Sequence, residues 1–70
     1  MEKEKALETY VYYQIEGSDE WVITHNLDKY PSVSVVDTGD SLVGGSVEYL
    51  SKNELVVTFT ASFSGKAFLN

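Results

Sequence analysis

Seventy residues make one small domain, and a chain this short buries only about 60% of its unfolded surface, so it is marginal without some added staple. With no cysteine there is no disulfide and no thiolate metal site, and a single histidine does not build a zinc or transition-metal cage, which leaves oligomerisation as the default staple. Eleven acidic residues against five lysines, with no arginine, give a net charge of −6, a balance that opposes nucleic-acid binding and docking on anionic membranes.

No apolar run approaches the ~20 residues of a membrane-spanning helix, and the start, MEKEKALETY, lacks the apolar centre of a secretion signal. The expectation is a chain that folds in the cytosol, wherever it is later deployed. Residues 1–8 read as a short charged arm or tether, and residues 9–70 as a single β-domain. In TYVYYQI, Val11, Tyr13 and Ile15 alternate with Tyr10, Tyr12 and Gln14, the period of two that marks a strand. Val11, Tyr13 and Ile15 are taken as the inward set. EGSDE then reads as a turn, with Gly17 free to take a positive φ. EWVITHN follows as a second strand, with Trp21, Ile23 and His25 on one face.

NLDKYP interrupts the pairing, because Pro31 has no N–H to donate and biases Tyr30 away from helix. SVSVVD is the third strand, with Val33 and Val35 inward. DTGDS is a hairpin turn by composition. LVGGSVEYL reads as a strand with a bulge or sharp bend at Gly44-Gly45, and SKNE as the next turn. LVVTFTA carries Leu55, Val57 and Phe59 on one face. SFSG reads as a turn and KAFLN as the last strand. About six strands with turns at this spacing describe a small antiparallel β-sandwich or barrel. Trp21, Ile23, Val35, Val57 and Phe59 are the expected core, with Tyr13 beside them.

Residues suited to chemistry are present, but not in patterns that chemistry requires. His25 lacks a nucleophile-elbow context such as G-x-S-x-G and a paired carboxylate at recognisable spacing. A histidine that closes a strand before Asn-Leu-Asp is expected to bond a turn carbonyl instead. Asp19-Glu20 and the Asp37/Asp40 pair bring carboxylates together, yet a glycosidase needs them across a cleft. The segment from Asp37 to Ser41 lacks the spacing and bidentate Glu of an EF-hand loop. Neither a catalytic residue, nor a metal ligand, nor a cofactor is assigned, and no enzymatic activity is expected.

One tryptophan, five tyrosines and three phenylalanines are many for this length. In so small a fold aromatics supply much of the core, each burying roughly 150–250 Å². Tyr10 and Tyr12, opposite the inward set of their strand, are expected at a subunit interface or, less favoured, on a ligand surface.

From Trp21 to Asn70 the chain resembles a small β module recurring in tailed-bacteriophage virion proteins, commonly at the C-terminal end of tail-fibre, receptor-binding or other appendage proteins. The residues that carry the resemblance are Trp21, Ile23, His25-Asn26-Leu27, Tyr30-Pro31, Ser32-Val33, Val35-Val36-Asp37, Val47, Tyr49, Thr58-Phe59 and the closing FSGKAFLN. Asp28 stands where that family often carries Gly or Asn, and Asp also tolerates the turn conformation. The resemblance implies that His25, Asn26, Tyr30 and Pro31 form a structural corner without a reaction. It also implies a non-enzymatic virion protein, a fibre- or decoration-type appendage module that oligomerises, with a trimer favoured. The expected partners are other copies of the chain and other virion proteins. A receptor- or glycan-binding tip that engages a host surface glycan is the alternative. The family's module usually ends a longer protein, so the chain is expected to be either a free-standing virion component or a fragment.

Overall fold

The structure, a computed structural model, describes residues 9–70, so the arm expected over residues 1–8 lies outside the described residues. Five strands form one antiparallel sheet: β1 (Tyr10–Thr24), β2 (Val33–Asp37), β3 (Leu42–Val43), β4 (Ser46–Tyr49) and β5 (Glu54–Leu69). The all-β antiparallel class read from the sequence holds, with five strands where about six were expected. The difference arises because β1 and β5, of 15 and 16 residues, each join two expected strands end to end, while the single expected strand LVGGSVEYL is split at Gly44-Gly45 into β3 and β4. EGSDE and SFSG, both read as turns, stay extended. Gly17 does not have a positive φ.

β5 is central. β1 pairs with it from Tyr10↔Leu69 to Thr24↔Glu54. On its other side β2 flanks Gly65–Leu69 and β4 flanks Leu55–Thr58, while β3 extends the sheet beyond β2. The β1–β5 ribbon is therefore flanked by β2 and β3 near one end and by β4 near the other. The turn-like segments sit abreast at its middle, with Ser18 opposite Phe63, and the register shifts on both sides of Ser18. Serine, glycine and aspartate weaken a flat ladder, and here they produce bulges that bend the ribbon instead of reversing the chain. Ser18 holds the bend locally: its hydroxyl accepts from Glu20 N–H at 3.1 Å, and its carbonyl accepts the Trp21 indole N–H at 2.9 Å.

Inward side chains from both ends meet in one cluster: Trp21, Ile23, Leu55, Val57 and Phe59 from one, Val35, Ala67 and Leu69 from the other. This is the layering of a sandwich, with the shared ribbon as its fold. Trp21 sits at the centre, its ring 5.1 Å from Phe59 and 5.0 Å from Phe63, while Phe59 and Phe63 meet edge to face at 4.7 Å. All five expected core residues are buried.

Tyr13 is not. It is 63% exposed, whereas Tyr10 and Tyr12 pack against the core. Opposed residues of an antiparallel pair share a face, so β5 serves as the ruler. Odd-numbered Leu55, Val57, Ala67 and Leu69 point inward along its whole length. Their partners on β1 are odd-numbered at Ile23 and Trp21 but even-numbered at Tyr12 and Tyr10. The bulge inverts the alternation of β1 between its halves, which turns Val11, Tyr13 and Ile15 outward.

Two glycines are required by close approach. A side-chain carbon on Gly65 would fall on the carbonyl oxygen of Val36 in the paired strand, and one on Gly45 would lie 2.7 Å from the Phe59 ring. Gly44 and Gly45 carry the chain from β3, which lies beyond β2 at the C-terminal part of β5, to β4, beside the N-terminal part of β5. The bend expected at this dipeptide is this crossing.

Candidate functional site

His25 follows directly on β1 and is 3% exposed. Asn26 and Asp28 then both take left-handed backbone conformations, each with φ of 57°, which Asn and Asp adopt more readily than other residues with a Cβ. Two such residues in three reverse the chain sharply, and the 50–53 turn between β4 and β5 receives the freed donors. Asn53 accepts through its carbonyl from His25 N–H at 2.9 Å and Asn26 N–H at 3.4 Å. Its side-chain oxygen accepts from Asp28 N–H at 2.7 Å, and the Lys52 carbonyl accepts from Lys29 N–H at 2.9 Å.

The imidazole completes the corner. Its Nδ1 accepts from Leu27 N–H at 3.0 Å, so the ring bonds a turn N–H, where a turn carbonyl was the expectation. The Nε2 atom is buried and has no hydrogen-bond partner among the described residues. An accepting Nδ1 fixes the neutral ring with its proton on Nε2. Burial, and after it the charge of Lys29, hold the group below its ordinary value of 6.5. Among the described residues no hydroxyl and no carboxylate bonds this imidazole, so they supply it with neither the nucleophile nor the orienting acid of a triad.

Pro31 is fully buried just beyond, and its carbonyl accepts from the Tyr49 hydroxyl at 2.7 Å. The rings of Tyr30 and Tyr49 meet edge to face at 5.3 Å. Thus His25, Asn26, Tyr30 and Pro31 are brought together at one corner. Tyr30 nevertheless presents a largely exposed ring, 60% accessible. Asn53 and Tyr49 supply side-chain bonds to the corner from a distant part of the chain. Sequence reasoning left both without a role there, since pairing β4 with β5 is what brings them near.

The carboxylates singled out as candidates are occupied with turns or point to solvent. Asp37 Oδ1 accepts from Gly39 N–H at 2.9 Å and Ser41 N–H at 3.0 Å, which closes the β2–β3 hairpin; Asp40 supplies its left-handed residue at φ 66°. Asp40 also lies 3.7 Å from the Lys66 ammonium. Asp19 and Glu20 are exposed in the bulge. Among the described residues, no group of three or more His, Cys, Asp or Glu side chains is placed to hold a metal ion.

A groove of about 340 Å³ opens between the two ends of the sheet, where β3 and β4 do not pair, lined by Val33, Ser34, Val35, Val43, Val47 and the Gly44-Gly45 crossing. The sheet is therefore unclosed on this side, as in a sandwich and not in a barrel.

The remaining surface of note is the outer face at the other end. Tyr13 and Ile15 of β1 and Leu42 of β3 are its exposed apolar residues, with Ile15 82% and Leu42 78% accessible, and Lys66 and Val36 lie in the row between Tyr13 and Leu42. This is the reverse of the expected interface. Tyr10 and Tyr12 are part of the molecule's own packing, with the Tyr12 ring 6.1 Å from Trp21. Comparison with known proteins adds no assignment: no family model matches the chain, and neither curated proteins nor solved structures give a significant match.

Proposed function

We propose that the chain is a non-enzymatic structural module of a bacteriophage virion, acting as a fibre- or decoration-type appendage that self-associates and contacts other virion proteins. The observation that carries this reading is the outward row of Tyr13 and Ile15 on a strand with one unpaired edge. Apolar area left on a small acidic domain calls for a protein partner. The corner motif supports the same reading, because the chain's one histidine holds the corner, its imidazole accepting from Leu27 N–H and its backbone N–H bonding the Asn53 carbonyl. The phage setting itself rests on the resemblance of Trp21–Asn70 to the virion module, as does the trimer that resemblance implies.

Deleting the coding sequence from a phage that carries it tests the proposal. Particles are expected to lose an appendage or to become less stable to heat, with restoration by the purified protein. Particles of unchanged composition and stability would overturn it.

A receptor- or glycan-binding tip is the second reading. It is favoured by the exposed Tyr30–Tyr49 pair, since an edge-to-face aromatic pair at a corner offers a ring for a sugar to stack on. Binding on a glycan array, abolished by Tyr30→Ala, would support this reading over the first.

A further inference from the structure

β1 is hydrogen-bonded to a strand along one edge only; among the described residues none lies along the other. Such an edge presents unpaired N–H and C=O groups, which proteins normally protect with charges, proline, bulges or a cover. From Glu16 to Glu20 the strand has that protection, with three acids and the register shifts. From Tyr10 to Ile15 it has none: YVYYQI contains no charge, no glycine and no proline.

We propose that Tyr10–Glu16 of β1 pairs antiparallel with the same segment of a second copy, about a two-fold axis at Tyr13, which joins the two sheets edge to edge. The proposal rests on the self-association in the preceding reading, specifies its surface, and sets a two-fold pair in place of the trimer that the resemblance implies. A two-fold axis normal to the sheet keeps outward residues outward, so it must pass through a residue position and not between two. At Tyr13 it sets Tyr13 opposite its own copy and Val11 opposite Ile15 on the outer face, with Tyr12 opposite Gln14 on the inner face. The outer row then becomes a continuous run of aliphatic and aromatic cross-strand pairs, the kind that stabilise a sheet.

Other registers cover less of the apolar row: an axis at Gln14 leaves Val11 opposite Gly17 and Tyr12 opposite Glu16. An axis at Tyr12 leaves Ile15 opposite Thr9. An axis at Ile15 sets Val11 opposite Asp19, and one at Ser18 sets Glu16 against Glu20, like charges directly opposed. The charge of −6 on each copy disfavours broad contact between their bodies, so the uncharged segment is where two copies approach at least cost. A head-to-tail ring would instead join β1 to the far edge of the sheet. There β3 offers two residues and β4 four, too few to cover the segment. Self-pairing is the arrangement that covers it.

Sedimentation of the full-length chain at micromolar concentration tests the pairing. The expected species is a dimer. Tyr13→Glu should raise its dissociation constant on the order of 100-fold or more by opposing two carboxylates at the axis. Val22→Glu, also exposed but outside the segment, should leave it unchanged. Tyr13 is outside the core, so circular dichroism should show both variants folded. In this cysteine-free chain, Tyr13→Cys should oxidise to a covalent dimer and Val22→Cys should not. A dimer indifferent to Tyr13→Glu overturns the pairing. A trimer overturns it but leaves self-association standing, and a monomer overturns both.

Discussion

At His25 a polar group is held in the form the fold requires. Its Nδ1 must accept from Leu27 N–H, and protonation would set two donors against each other in a buried site. The folded chain therefore binds the proton less readily than the unfolded chain, in which the group titrates near 6.5. Where the unfolded state binds more protons, stability rises with pH. The contribution is full above about pH 6.5 and is lost as pH falls from there toward the lower folded value. Urea unfolding between pH 7.5 and pH 5 should show the midpoint falling in wild type, and much less in His25→Gln. That variant should still assemble, having lost about 1–2 kcal/mol at neutral pH. Equal pH dependence in the two proteins would contradict this account. Asn53 acts at the same scale. Asn53→Ala removes the acceptor of Asp28 N–H and should cost about 1 kcal/mol, as loss of a cap does. Thermal melting would register it as a drop of several degrees in a domain of this size.

Among the elements, β1 and β5 decide the shape. Their turn-like segments are adjacent across the ladder, so neither reverses the chain alone, and together they bend the ribbon. Gly65 shows how little room the arrangement leaves. Its Cα faces the Val36 carbonyl of β2, a backbone atom that moves only with its strand. Gly65→Ala should therefore separate β2 from β5 and cost about 3 kcal/mol or more, at the upper end for overpacking. Gly44→Ala meets nothing within 4 Å and should stay within about 0.5 kcal/mol of wild type. Hydrogen exchange would localise the first change to Val33–Asp37 and Gly65–Leu69. Uniform protection in both variants would show that the strands accommodate the extra carbon.

For the whole molecule, stability rests on a single cluster in which both ends of the sheet share Trp21, Phe59 and Phe63. Phe59→Ala removes a ring that contacts both other aromatics and should cost about 3–5 kcal/mol. Against a total of about 5–15 kcal/mol, that leaves the chain largely unfolded or badly weakened at physiological temperature. A melting curve like that of wild type would mean the cluster is not what holds the two ends together.

The sequence by itself determined the all-β class, the inward faces of β2 and of the N-terminal half of β5, and the interruption of pairing from Asn26 to Pro31. Each follows from local rules: alternation of apolar residues, left-handed tolerance of Asn and Asp, and the missing N–H of proline. Strand number and the facing of the first seven positions of β1 were decided only by tertiary structure. Gly17 and Ser18 have the same local preferences in a turn as in a bulge, and only the presence of Phe63 across the ladder selects the bulge. That bulge then reverses which tyrosines are buried, because a strand's side chains alternate strictly and one residue out of register exchanges its two faces. Tyr13 therefore reached the surface, and Tyr10 and Tyr12 the packing, by a pairing that no local pattern in TYVYYQI encodes.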